Sequence, residues 1–338
     1  MTDHDVSARP TLADIARLTG VSVATVSRAL RGSSEIGQAT TERVVAVART
    51  LGYVPNLAAR NLARRSTRTL GLLVPDLTDP FHGRIVAGFG RAAQERGFSH
   101  IVFEDGRDMQ RRERALRTMT EHHAHGIALC STPLDLEEAT RRFAPAHTLF
   151  VVPETPLPAP RPSSPPCGVV RSDDAMGMRD ITRHLLRHGR RRLSFVSGPA
   201  VWSNDVRRTA LLDALEEAGE EPRLRDYRHP QGTGALTALA QAVRRERPDA
   251  LVCYDDVVAL HVLDALQEAG MRVPDDVAVT GFDGIEFARL SRPRLTTVVQ
   301  HCERLGVTAA RMLIDAIDSD CGLYDVVLPT RLAIRAST

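Results

Sequence analysis

The sequence predicts an all-α helix-turn-helix head followed by an α/β body of two doubly wound parallel-sheet lobes. Three observations predict it. Up to about residue 52, apolar residues recur at helical spacing, with glycines at the breaks. From Leu70 onward, short apolar runs alternate with helical stretches, the pattern of parallel strands joined by helices. That alternation occurs twice, and 338 residues are enough for a head and two such lobes.

The head comes first. "TLADIARLTG" predicts a helix that Thr11 caps, with Asp14 three residues on in a capping-box-like place. Leu12, Ile15 and Ala16 form its apolar face, and Gly20 supplies the left-handed residue of a tight turn. Ser22 caps a second helix over 23–30, with Val26, Ala29 and Leu30 inward. Val23, Ala24, Thr25, Ser27, Arg28 and Arg31 face outward. "QATTERVVAVARTLG" is a third helix, apolar at Val44, Val47, Ala48 and Leu51 and closed by Gly52. Three short helices with a tight turn between the first two make a helix-turn-helix, whose second helix can enter a DNA major groove.

In the body, strands are predicted at 70–74, 100–104, 126–130 and 148–152, with helices near 83–96, 108–122 and 135–143. The second set has strands at 193–197, 250–254 and 277–281, with helices near 174–188, 204–218, 233–246 and 256–269. Ligands of such sheets bind beyond the carboxyl ends of the strands. "PETPLPAPRPSSPP" (153–166) cannot continue a sheet and is expected to be a loop.

Charge divides the chain in the same place. Residues 1–68 hold ten arginines and five acids, net +5, which leaves −3 for the remainder of a chain of net charge +2. A basic head on a slightly acidic body points to a polyanionic partner for the head. All basic side chains other than histidine are arginine. Five scattered cysteines without CxxC spacing argue against a disulfide framework and for a reducing, cytoplasmic compartment. No signal-peptide core or membrane-length apolar run is present. Neither a P-loop, GxGxxG nor GxSxG occurs, and "HHAHG" (122–126) lacks the carboxylate partner that would complete a metal site. An enzyme, a cofactor and a metal are therefore not expected.

Several stretches follow one another through the chain: "TLADIARLTGVSVATVSRALRG", "TTERVVAVARTLGYVPNLAARNLARRSTRTLGLLVPDLTDPF", "GPAVWSNDVRRTALLDAL", "ALQEAGMRVPDDVAVTGFDG" and "RPRLTTVVQ". On these the chain resembles the LacI/GalR family of transcription repressors. The resemblance implies a DNA-binding domain over 1–55, a hinge helix and linker over 56–68, and a periplasmic-binding-protein-like effector and dimerisation domain over 69–338. It implies lobe one near 69–171 and 298–322, and lobe two near 174–290 and 326–338, with crossovers near 171–173, 290–297 and 322–327. Helix 303–318 would return to the first lobe and 327–334 to the second.

By the same resemblance, Val23, Ala24 and Arg28 choose bases. Small apolar side chains suit a thymine methyl, and Arg28 suits guanine. Ser22, Thr25 and Ser27 are better phosphate partners, and Arg31 adds a further contact where the family usually has Asn. Asn56 opens the hinge helix, and Leu62 matches the leucine that wedges into the central base step. The effector cleft would be lined by Asp79, Phe81, His82, Asp105, Trp202, Arg207, Asp255, Asp283 and Gln300. Carboxylates, a guanidinium and an aromatic face suit a polyhydroxylated ligand such as a sugar. Asp255 stands where the family usually has Asn, and Gly284, His261 and Ala210 also depart from its pattern. The expected function is a cytoplasmic homodimeric repressor that binds a pseudo-palindromic operator under control of a small-molecule effector. A regulator with a degenerate cleft and a solute-binding module are the alternatives.

Overall fold

The computed structural model describes residues 10–30, 32–53, 68–133, 139, 146–153, 168–199, 201–220, 225–228, 232–319 and 321–338. The expected hinge helix with Asn56 and Leu62, Arg31, the proline-rich stretch beyond Pro153 and most of 135–143 lie outside the described residues. The chain divides into two compact units, Met1–Thr67 and Arg68–Thr338.

In the first unit, α1 (Leu12–Thr19), α2 (Val23–Leu30) and α3 (Gln38–Thr50) surround one small core. Thr11 and Asp14 close a reciprocal capping box: the Asp14 N–H donates to Thr11 Oγ1 and the Thr11 N–H donates to Asp14 Oδ2. Gly20 ends α1 at φ 70°, a conformation that costs glycine nothing. The Thr25 N–H donates to Ser22 Oγ at 3.1 Å, which caps α2. Ile15, Val26 and Val44, one from each helix, are fully buried together with Ala29 and Ala48. That leaves the opposite face of α2 to solvent.

The second unit runs β1 (Thr69–Val74), α4 (Pro80–Glu95), β2 (Ser99–Glu104), α5 (Met109–Glu121), β3 (Gly126–Cys130), β4 (His147–Val151) and β5 (Gly168–Ser172). There follow α6 (Asp174–Arg187), β6 (Leu193–Val196), α7 (Trp202–Glu217), β7 (Arg225–Tyr227), α8 (Gly232–Glu246), β8 (Ala250–Cys253), α9 (Asp256–Glu268) and β9 (Ala278–Asp283). The chain closes with α10 (Phe287–Leu290), β10 (Thr296–Val299), α11 (Cys302–Ser319), β11 (Asp325–Leu328) and β12 (Arg331–Ala333). Two six-stranded sheets result, ordered β11-β5-β4-β3-β1-β2 and β12-β10-β9-β8-β6-β7. The pairs are parallel except β10 with β12. In each sheet the first strand has the second on one side and the third on the other. That reversal opens a crevice at the strand ends.

The strands β3 and β9 are buried throughout, as strands covered on both faces must be. Helices α4 and α11 cross closely on lobe one. A Cβ on Gly306 would strike the Ile85 carbonyl, and one on Gly88 the Glu303 carbonyl.

Two expected crossovers are corrected. Residues 296–299 are no connector but the strand β10, paired in parallel with β9, because four β-branched residues in a row suit a buried strand. The chain therefore returns to lobe one at 300–301. Residues 325–328 pair with β5 and stay in lobe one, and only 331–333 join lobe two through β10. The third crossover is accordingly 329–330. The first falls at Asp173, between β5 and α6.

Candidate functional site

Two regions carry the residues that sequence analysis singles out. On the head, Val23 is 46% exposed, Ala24 and Arg28 are exposed, and Ser22 also faces solvent. An exposed valine and alanine beside an arginine form a contact face with no partner in the head core. Thr25 and Ser27 are half-buried, and Ser22 Oγ and Thr25 Oγ1 bond each other at 2.8 Å. Arg28 Nη1 lies 3.6 Å from Glu35, a solvated pair that holds it weakly.

In the body, Arg207 is the centre of a built site. It sits on α7 and is 3% exposed. Burial of a guanidinium is tolerable only with partners. Its Nε donates to Asp174 Oδ2 at 3.3 Å, its Nη1 donates to the Tyr254 carbonyl at 2.6 Å, and its Nη2 lies 3.6 Å from Asp283 Oδ1. The guanidinium also stacks 3.9 Å from the Phe282 ring centroid and 4.6 Å from that of Tyr254. Gln300 Nε2 donates to Asp283 Oδ1 at 2.6 Å, while its Oε1 is buried without a hydrogen-bond partner. Asp283 holds φ at 112°, a costly place for a residue with a Cβ.

The electrostatics follow from burial. Burial opposes the charge of Arg207, yet Asp174, Tyr254, Asp283 and Asp255 outweigh it and raise the pKa. Burial lifts the Asp174 carboxyl above its ordinary range against the pull of Arg207. Burial likewise lifts Asp283 well above it; Arg207 opposes this, and Asp255, Asp256 and Asp79 reinforce it. Asp256 is pushed up to about 7 by burial, although it accepts from Thr297 Oγ1 at 2.5 Å and from the Ile285 N–H at 2.9 Å. That carboxylate ties α9 to the loop after β9 and to β10.

The other expected cleft residues divide. Asp79 caps α4 by accepting from the Phe81 N–H at 2.8 Å. Asp255 caps α9 by accepting from the Val258 N–H at 2.7 Å. His82 is buried, with Nδ1 3.4 Å from Asp79 Oδ2, and burial holds its pKa below the ordinary histidine value. Trp202 borders a cavity of about 80 Å³ with Arg171, Ser172, Asp174 and Ser203. Phe81 is 6% exposed and packs with the lobe-one core. Asp105 is turned to its own lobe, accepting from Arg112 Nε at 2.8 Å and from the Arg107 N–H at 2.8 Å.

Sequence reasoning missed Asp174, Tyr254 and Phe282. The signal for Asp174 was the acid pair "DD" at the start of a helix just after a crossover. Tyr254 and Phe282 are aromatics at the ends of buried strands, where Phe81 and Trp202 were the expected rings. Among the described residues, Cys130, Cys253 and Cys302 are buried, Cys321 is exposed, and no group of His, Cys, Asp or Glu could hold a metal. No helix among them is long and apolar enough to cross a membrane.

Comparison with known proteins agrees with this layout. The model of "Bacterial regulatory proteins, lacI family" matches residues 11–56, and that of a periplasmic binding protein-like domain matches residues 182–338. The HTH-type transcriptional regulator CelR of Thermobifida fusca is 34% identical over 341 residues, covering 97% of this chain and 98% of its own. The HTH-type transcriptional repressor CytR of Escherichia coli K12 is 28% identical, with 97% and 96% covered. The solved CelR–cellobiose complex superposes with a TM-score of 0.70 at 31% identity, covering 98% of this chain and 100% of that one. The lac repressor dimer bound to operator and the anti-inducer ONPF gives 0.85 at 24% identity, with 98% and 99% covered, and shares the fold.

Proposed function

Because this chain belongs to the lacI family of bacterial regulatory proteins, and is a DNA-binding transcriptional regulator rather than an enzyme, we propose that it acts as a homodimeric repressor released or held by a saccharide in the cleft between its lobes. The dimer would present two recognition helices to a pseudo-palindromic operator. Val23, Ala24 and Arg28 read base edges there, and Ser22, Thr25, Ser27 and Arg31 hold phosphates. The hinge over 56–64, with Asn56 and Leu62, contacts the minor groove between half-sites. Ligand changes lobe closure and thereby the spacing of the two heads, which biases operator affinity.

The observation that carries the effector reading is the buried Arg207, fixed between Asp174, Asp283 and the Tyr254 carbonyl, beside a Gln300 acceptor with nothing to accept. Such an arrangement offers pre-oriented donors and acceptors to vicinal hydroxyls. Trp202 borders a cavity that Asp174 also lines. The CelR relative, solved with cellobiose, supports a saccharide.

The test is selection of operators from random duplex DNA with the full-length protein, repeated with cellobiose and with pooled sugars. The expected result is an enriched palindrome whose occupancy changes with one pool. An enriched palindrome indifferent to every pool would remove the effector from the proposal. No enrichment at all would remove the recognition-helix assignment.

A further inference from the structure

We infer that lobe two carries a second ligand site, away from the cleft, for an organic phosphate: a small apolar group bearing a phosphate monoester. The site is a hollow of about 470 Å³ lined by Arg289, Leu290, Arg294, Ile334, Arg335 and Ala336. It does not depend on the effector reading above.

Its place follows from the strands. β9 and β10 run parallel, and their carboxyl ends carry Asp283 and lead to Gln300 in the cleft. Arg294 and Leu295 precede β10, and β12 is antiparallel to it with Ala333 opposite Thr297. Arg294 and Arg335 therefore meet at the other end of the sheet, one short strand or about 13 Å from the cleft.

Hydrogen bonds hold the three arginines on one frame. The Ser337 N–H donates to the Arg294 carbonyl at 3.1 Å, and the Arg335 N–H donates to Thr296 Oγ1 at 2.9 Å. Arg335 Nη1 donates to the Leu295 carbonyl at 2.5 Å, which fixes that guanidinium and leaves its remaining donors uncommitted among the described residues. The Leu295 N–H donates to the Ala288 carbonyl at 2.9 Å, so α10 and its Arg289 are tied to the same strand start.

Nothing on this frame balances the charge. Among the described residues no carboxylate lines the hollow. Glu286 reaches Arg289 at 3.7 Å, but both side chains are about two-thirds exposed, and such a pair holds weakly. Asp256 is buried and already accepts from Thr297 and the Ile285 N–H. Arg294 has no hydrogen-bond or ion-pair partner among the described residues. Burial, with the neighbouring Arg289, Arg331 and Arg294, lowers the pKa of Arg335 against the pull of Asp256.

The residue types name the ligand. Guanidinium forks match the oxygens of phosphate and carboxylate. Three forks around one hollow exceed what a carboxylate can pair, whereas a phosphate monoester brings nearly two charges and three terminal oxygens. Leu290 and Ile334 are 62% and 61% exposed, so the same hollow has aliphatic walls that an apolar group on the phosphate would cover. Its volume is that of a small-molecule site.

The experiment is titration calorimetry of the full-length protein at fixed ionic strength with phenyl phosphate, inorganic phosphate and benzoate. The expected result is one phenyl phosphate per chain, bound about tenfold or more tighter than either of the others. Arg289→Gln with Arg294→Gln removes two guanidiniums and leaves Arg335 and its tie to Leu295 in place; a thermal melt checks the fold. In that variant the phenyl phosphate affinity should fall about tenfold or more. An affinity unchanged in the double variant overturns the inference, because the anion then binds elsewhere, on the head or in the cleft. Inorganic phosphate binding as tightly as phenyl phosphate overturns it by removing the apolar part, and benzoate doing so overturns it by removing the phosphate. Phenyl phosphate that gives no heat and no shift in the melt also overturns it. The variant leaves the cleft untouched, so the sugar arm of the operator selection decides the effector reading separately.

Discussion

Arg207→Met is the perturbation that the structure makes most exacting. Methionine keeps the length and the apolar stem, and its thioether can still pack on the Phe282 and Tyr254 rings that the guanidinium now covers at 3.9 and 4.6 Å. What is lost is charge. Asp174 loses its partner at 3.3 Å, Asp283 its partner at 3.6 Å, and the Tyr254 carbonyl its donor at 2.6 Å. Removing one member of a buried ion pair costs about 3–5 kcal/mol, mostly through the partner left behind. At about 2–4 °C per kcal/mol for a unit of this size, the melting temperature should fall by roughly 10 °C. The sign of its pH dependence is fixed as well. Burial already raises both carboxyls, and without the cation they rise further. They then fold preferentially protonated, so the deficit is largest near about pH 8 and shrinks toward about pH 5. Adding Asp174→Asn should recover part of the loss, since the stranded charge is gone. Melts by circular dichroism across that range are the assay. A variant within about 2 °C of the wild type at the alkaline end, or a deficit that grows as pH falls, would refute the assignment of Arg207 as a paired buried cation.

Three further outcomes follow from the geometry. Asp256, held near 7 by burial, contributes stability below the ordinary carboxylate pKa that is lost as pH rises through about 7. Asp256→Asn should flatten that slope in melts between about pH 4 and about pH 8, and an unchanged slope would place the titration elsewhere. Gly306→Ala should destabilise lobe one by about 1–3 kcal/mol or more, because its methyl meets the Ile85 carbonyl across the α4–α11 crossing; chemical denaturation measures it. Arg28→Ala should weaken operator binding by about 1–3 kcal/mol and relax one base position, read by selection on randomised half-sites. The 3.6 Å contact with Glu35 is too exposed to account for a loss of that size.

What the sequence made legible was whatever rests on periodicity and local chemistry. The capping box of Thr11 and Asp14, the left-handed Gly20 and the inward Val26 and Ala29 are local, and each is found as expected. The buried strands β1, β3 and β9 are short, mostly apolar segments flanked by polar residues and were visible for that reason. Assignments that depend on pairing partners were not legible. The crossover expected near 290–297 overlaps β10, because a short strand at a sheet's far side is defined by its neighbour β9, not by its own pattern. The return of 325–328 to β5 has the same cause. Phe81 shows the limit at the site: it follows a capping aspartate at a helix start, where a ligand-facing ring and a core ring have the same sequence context. In the structure the ring packs with the lobe-one core.

The same ambiguity explains why the cleft is crowded with aspartates. In a parallel sheet every strand end feeds a helix start, and helix starts call for Asp, Ser, Thr or Asn. Asp79, Asp173 and Asp255 all serve in this way, each accepting a backbone N–H within the first turn of its helix. The fold alone therefore accounts for one oxygen of each carboxylate, and it places the other oxygens around the crevice as a by-product. Asp283 is different. It caps no helix, it occupies φ 112° where a side chain is costly, and it is buried among other acids. What it gives the stability of the lobes is a countercharge for the buried Arg207, a task Asp174 already shares. A residue that burdens the fold and yet is held by Gln300 at 2.6 Å and by Arg207 at 3.6 Å is what the proposed effector role would call for in the cleft.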